Sequence, residues 1–126
     1  MNKLIIILGP TASGKTSLAV SIANKYNGEI ISADSRQIYK GMDIGTGKDL
    51  HEYHIDGKNI KYHLIDILDP NIDYSVFNFK KDFNEIHNRI VDKEKLPILC
   101  GGTALYIDSI LYDYQIPSSK PDYKLC

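Results

Sequence analysis

Charge of one sign, cysteine and long apolar runs are all scarce in this chain, and each shortage narrows what it can be. Lys and Arg number 15 against 16 Asp and Glu, a net charge of −1. No overall electrostatic pull toward nucleic acid follows from that balance, so any RNA contact has to be local. The two cysteines, Cys100 and Cys126, lack metal-ligand spacing and read as reduced thiols of a cytosolic protein, not as a disulfide. The first apolar run, residues 4–8, is too short to cross a bilayer and no signal-peptide cleavage site follows it, so a cytoplasmic protein without membrane contact is expected. No repeat, low-complexity stretch or internal linker divides the 126 residues, a length suited to one domain.

What is present is an alternation of strands and helices. Residues 4–8 form a continuous Ile-rich run followed by Gly9-Pro10, as expected of a central parallel strand feeding a tight loop. Leu18, Ala19, Ile22, Ala23 and Tyr26 then recur at helical spacing, and Gly28 supplies a stop. Residues 29–33 read as a second strand ending at Asp34-Ser35, on the sheet edge where open α/β folds bind ligands. Residues 36–48 are glycine-rich and weakly periodic and read as a loop. A small hairpin is expected around Asp56-Gly57, a core strand over 62–68 and a long helix after the N-cap Ser75, with Val76, Phe79, Phe83, Ile86, Ile90 and Val91 as its apolar stripe. A strand over 96–100 and a short helix opened by Gly101-Gly102-Thr103 follow. The pattern predicts an α/β fold with a parallel sheet and flanking helices. From Gln115 the chain becomes proline-rich without a closing element, so residues 1–114 are expected to be the core and 115–126 an interrupted connection.

The most specific motif is Gly9-Pro10-Thr11-Ala12-Ser13-Gly14-Lys15-Thr16. Its glycines let backbone amides curl around phosphate oxygens, Lys15 neutralises their charge and the Thr16 hydroxyl is placed to coordinate Mg²⁺. This is the P-loop of ATP- and nucleotide-binding proteins, but it does not fix which bond breaks. A second motif, Asp34-Ser35-Arg36-Gln37-Ile38-Tyr39-Lys40-Gly41-Met42-Asp43-Ile44-Gly45-Thr46, puts a carboxylate close to the phosphate site. By residue type alone Asp34 is equally a general base and a loop-capping Asp. Asp66 and Asp69 stand where P-loop proteins often keep a magnesium-ordering acid, though Asp before Pro70 is also ordinary turn chemistry. His51 and His54 have metal-compatible spacing without further ligands and read as a solvated loop; His63 and His87 are isolated, and Cys100 reads as a packed small side chain.

With these motifs, His63-Leu64-Ile65-Asp66-Ile67-Leu68-Asp69-Pro70 and Pro97-Ile98-Leu99-Cys100-Gly101-Gly102-Thr103 complete an ordered set. The chain resembles the N-terminal part of the tRNA dimethylallyltransferases. The resemblance implies a P-loop NTPase-like core, cut before the helical insertion that grips tRNA, and a full-length monomer. It implies that dimethylallyl diphosphate occupies residues 9–16, with Mg²⁺ on Thr16, and that Lys15, Asp34 and Thr103 take part in catalysis. Asp34, Ser35, Arg36, Gln37 and Thr103 would meet the tRNA substrate, with Thr11 nearby and Tyr39 or Tyr106 as aromatic neighbours of a flipped adenine. A second chain supplying the rest, impaired transfer by this chain alone and self-association through an uncovered sheet edge are further expectations. Two other readings stand beside it: an adenylate isopentenyltransferase acting on free nucleotide, and a non-catalytic P-loop binding module.

Overall fold

The computed structural model describes residues 4–9, 14–40 and 53–115, with side chains through residue 111. Nine elements follow in order: β1 (Ile5–Leu8), α1 (Lys15–Tyr26), β2 (Gly28–Ser32), β3 (His54–Ile55), β4 (Lys58–Asn59), β5 (Tyr62–His63), α2 (Val76–Asp92), β6 (Leu96–Gly101) and α3 (Ala104–Gln115). Four strands form a parallel sheet in the order β1-β6-β2-β5, while β3 and β4 make the small antiparallel hairpin expected at Asp56-Gly57.

Both faces of the sheet are covered, which is why β6 is apolar throughout and β2 carries the buried pair Ile30-Ile31 at its centre. Successive side chains alternate between two cores. Ile31 and Leu99 face Phe79, Phe83, Ile86 and Ile90 of α2 and Ile107 and Ile110 of α3. Ile7, Ile30, Ile98 and Cys100 face Ala19, Val20 and Ala23 of α1, together with Tyr53 and Ile60 around the hairpin. Helix α2 begins as its sequence demands: the Ser75 hydroxyl accepts from the Asn78 amide, and the Asn78 side chain accepts from the Ser75 amide in return.

Three expectations are corrected. Among the described strands β1 is not central: it pairs only with β6 and forms the outer edge. Apolar composition reports burial of faces and does not reveal how many neighbours a strand has. On α1, Leu18 and Tyr26 are exposed and Val20 is buried instead, because the helix seats its small residues Ala19 and Ala23 on the sheet. The apolar run 62–68 is not one strand. β5 stops at His63, where Leu64 takes a left-handed backbone (φ 66). Beyond that kink the amides of Asp66, Ile67 and Leu68 bond to the carbonyls of Gln37 and Ile38. β2 has ended by then, so the chain follows the turn that continues it.

At the amino ends of the strands, Glu29 is 1% exposed and accepts from His63 Nε2 and Lys93 Nζ, both at 2.8 Å, with Lys95 Nζ at 3.4 Å. Burial by itself would raise the Glu29 pKa. The hydrogen bonds and charges of Lys93 and His63 outweigh it and hold the carboxyl at about 2. This knot fastens β2 to β5 and to the turn after α2, on the side of the sheet away from the P-loop.

Candidate phosphate and adenine site

The opposite sheet edge gathers the sequence motifs. Gly9 ends the strand-to-loop passage after β1, and Gly14 opens α1 in a left-handed conformation (φ 85) that side-chain-bearing residues rarely adopt. Lys15 and Thr16 lie half-buried in the first turn of α1, the end of a helix whose dipole favours an anion. Pro10, Thr11, Ala12 and Ser13 lie outside the described residues. The Cys100 thiol at the end of β6 reaches the Lys15 carbonyl at 3.8 Å, so the start of α1 rests on the central sheet.

Asp34 follows β2 and is 8% exposed. Its Oδ1 accepts from the Arg36 amide at 2.9 Å, and its carbonyl accepts from the Gln37 amide at 3.1 Å. The loop-capping reading of this Asp is therefore correct as geometry, and it leaves the carboxylate held rigidly at the mouth of the sheet. The Ser35 amide donates to Thr103 Oγ1 at 2.9 Å, with the two hydroxyls 3.4 Å apart. Thr103 in turn donates its amide to the Ala33 carbonyl. The turn after β2 and the turn after β6 are thus one unit.

Gly101 and Gly102 explain how that unit meets the P-loop. A Cβ on Gly101 would lie 2.5 Å from the Ala33 backbone, and one on Gly102 would lie 2.7 Å from the Gly9 carbonyl oxygen. Only glycine lets the three chain segments approach so closely. Beside them a largely apolar cleft of about 510 Å³ opens along Leu8, Gly9, Gly102, Ala104, Ile107 and Leu111, with Asp108 also on its wall.

Structure therefore brings Asp34, Ser35, Gln37 and Thr103 together beside Gly9, and Arg36 sits exposed at the rim. Tyr106 is not a surface for a base: it is 5% exposed and stacks on Phe79 at 4.3 Å in the core. Tyr39 is half-buried and gives its hydroxyl to the Ile72 carbonyl. Asp66 is joined through its amide to Gln37, whereas Asp69 lies exposed at 3.9 Å from Lys40. His54 is exposed and bonded to Asn59, His51 lies outside the described residues, and no group of three or more metal-ligating side chains occurs among those described. No helix among the described residues is long and apolar enough to cross a membrane.

One residue escaped the motif reading. Ser32, 3% exposed at the end of β2, accepts from the Asp34 amide at 3.3 Å and donates to Gln37 Oε1 at 2.9 Å. A hydroxyl residue directly after the apolar pair Ile30-Ile31 and two positions before Asp34 was the available signal.

A glycine-opened helix at the carboxyl edge of a parallel sheet, with an acid-bearing turn on the next strand, defines a P-loop NTPase-like α/β protein. A sequence model of the family described as IPP transferase matches residues 37–125, and the chain belongs to that family. It is 60% identical over 114 residues to tRNA dimethylallyltransferase 1 of Azobacteroides pseudotrichonymphae, covering 90% of this chain and 37% of the relative. Against tRNA dimethylallyltransferase 2 of Bacteroides fragilis identity is 58% over 113 residues, again 90% and 37%. The chain thus spans little more than a third of the curated relatives it matches. Among solved structures, a tRNA isopentenylpyrophosphate transferase from Bacillus halodurans superposes with a TM-score of 0.81 at 39% identity, over 99% of this chain and 40% of that one. A eukaryotic dimethylallyltransferase solved acting on tRNA gives 0.73 at 32% identity, over 84% and 26%.

Proposed function

We propose that this chain carries the diphosphate-binding and adenine-activating part of a tRNA dimethylallyltransferase. The observation that carries the reading is the Ser35–Thr103 hydrogen bond, which locks the Asp34 turn against the glycine pair abutting Gly9. An acid and a phosphate loop are thereby held at one mouth. Dimethylallyl diphosphate would set its diphosphate on Gly14, Lys15 and Thr16 and its short tail against the apolar cleft beside Gly9. The allylic carbon–oxygen bond breaks, the exocyclic nitrogen of the adenine beside the anticodon bonds to that carbon, Asp34 accepts the nitrogen's proton and diphosphate departs. Lys15 and the α1 amides stabilise the charge growing on the leaving group.

Mg²⁺ fits this donor set. It binds through one or two protein oxygens with phosphate oxygens and water completing its shell, and the Thr16 hydroxyl in the first turn of α1 is such a donor. When bound it would neutralise diphosphate charge.

The test is calorimetric titration of the chain with dimethylallyl diphosphate and Mg²⁺. The unsubstituted chain binds; Lys15→Ala weakens binding at least about tenfold, the scale of losing one charge-assisted contact; Asp34→Asn binds unchanged. Transfer by this chain alone is expected to be slow, and product on an anticodon stem-loop but not on adenosine monophosphate separates tRNA from free-nucleotide chemistry. No binding by the unsubstituted chain overturns the reading.

A further inference from the structure

We propose that Tyr106 is an adenine-binding residue: its hydroxyl donates a hydrogen bond to a ring nitrogen beside the exocyclic amine, while the neighbouring Asp34 carboxylate accepts from that amine. The inference rests on the reading of this edge as the adenine site. Tyr39, Tyr74 and Tyr106 pack together in the core cluster that also holds Ala33 and Ile38, on either side of Asp34 in sequence. Two of the three hydroxyls are committed to the protein: Tyr39 donates to the Ile72 carbonyl at 2.8 Å and Tyr74 to Asp82 Oδ2 at 2.6 Å. Tyr106, only 5% exposed, has no hydrogen-bond acceptor for its hydroxyl among the described residues. Buried tyrosines ordinarily find one. Nor is the hydroxyl sealed away, since Asn24 Oδ1 alone is both unpaired and fully enclosed among the described side chains. An acceptor carried by a ligand would complete it.

The direction of α3 brings that hydroxyl to the site. The helix starts at the carboxyl edge of the sheet, directly after β6, and helical side chains lean toward the start of their helix. Thr103, three positions before Tyr106, holds the Ser35 amide at 2.9 Å, so Tyr106 comes in beneath the turn that bears Asp34. Its ring stacks on Phe79 at 4.3 Å and meets Tyr74 edge-on at 6.4 Å. Both contacts fix the ring and leave only its hydroxyl end for a ligand. Burial foremost, then the charges of Tyr39 and Asp34, pushes the hydroxyl pKa above the ordinary tyrosine value, which keeps it a donor. Asp34 Oδ1 is engaged by the Arg36 amide at 2.9 Å, leaving Oδ2 to accept. A donor beside an acceptor matches adenine, whose amine donates and whose adjacent ring nitrogens accept.

The experiment titrates the chain with adenosine, 1-deazaadenosine and 7-deazaadenosine while inorganic pyrophosphate and Mg²⁺ fill the P-loop, following the Ser35 and Thr103 amide signals by NMR. Tyr106→Phe is expected to weaken adenosine binding about tenfold, the value of one buried hydrogen bond. One of the two analogues, lacking the nitrogen that accepts, should bind the unsubstituted chain about tenfold less tightly than adenosine and lose nothing further in Tyr106→Phe. Pyrophosphate affinity should stay unchanged and the thermal midpoint should not fall, because the hydroxyl removed bonds to nothing in the fold. Adenosine affinity that survives Tyr106→Phe, with or without a lower midpoint, overturns the inference, as does a loss that couples to neither analogue. Absence of adenosine binding by a chain that does bind dimethylallyl diphosphate overturns it as well. Failure of the unsubstituted chain to bind dimethylallyl diphosphate is a separate result and removes the proposed function itself.

Discussion

At the scale of single residues, Glu29 makes the fold acid-sensitive. Its folded pKa of about 2 lies below the ordinary value of 4.5, so the unfolded chain binds more protons between those values. The resulting stability is complete above about pH 4.5 and is lost as pH falls toward 2, on the order of 3 kcal/mol in all. His63 has its pKa lowered by burial, with the Glu29 bond acting against that shift. Its sign is the same: stability declines as pH drops below the ordinary histidine value, because the unfolded ring takes up its proton first. Urea unfolding midpoints across pH 3–7 should fall steadily on the acid side, and Glu29→Gln should flatten the lowest part of the curve. The glycine pair is equally exposed to test. Gly102→Ala has to displace the Gly9 carbonyl, and a loss of about 2 kcal/mol or more in thermal unfolding is expected, together with weaker diphosphate binding. Full stability in that variant would mean the contact yields easily.

Among elements, α2 was the most legible and the run 62–68 the least. The stripe Phe79, Phe83, Ile86 and Ile90 appears in the sequence at helical spacing and is buried as a single face, since a helix has only one way to bring those positions together. Replacing Ser75 by Ala should cost about 1 kcal/mol by removing the reciprocal cap, and Phe79→Ala about 3–5 kcal/mol, since the ring is fully buried and stacked on Tyr106. Circular dichroism melts distinguish the two magnitudes. The run 62–68 is apolar along its length, yet Leu64 and Ile65 serve opposite faces of the sheet and the residues after them pair with the 37–40 turn. Its composition records burial; the place where β2 ends decides its path.

For the whole molecule, the outer position of β1 has a consequence. β1 pairs on one side only among the described strands, and Leu8 at its end is 58% exposed. An apolar strand edge is a template for further pairing, so light scattering should show concentration-dependent association, reduced by Leu8→Lys; a monodisperse monomer at high concentration would count against it.

The sequence by itself determined the Gly9–Thr16 motif, the Ser75 cap of α2, the alternation of strands and helices and the family to which the chain belongs, whereas the left-handed cap of α1 falls on Asn27 and not on the expected Gly28, which opens β2. Each is written in local spacing: a glycine where the backbone turns left-handed, a serine before an apolar stripe, a lysine and threonine after a glycine. Only the tertiary structure decided which of the described strands lies outermost, that Tyr106 belongs to the core, that Glu29 is locked between a histidine and two lysines, and that the Ser32 hydroxyl bonds to both Asp34 and Gln37. Those facts depend on residues distant in sequence, as with Ile5 and Ile98, Phe79 and Tyr106 or Glu29 and Lys93, or on side-chain bonds inside a turn, as with Ser32 and Gln37. Spacing along a chain carries no record of either, because both are set by which surfaces meet when the sheet closes.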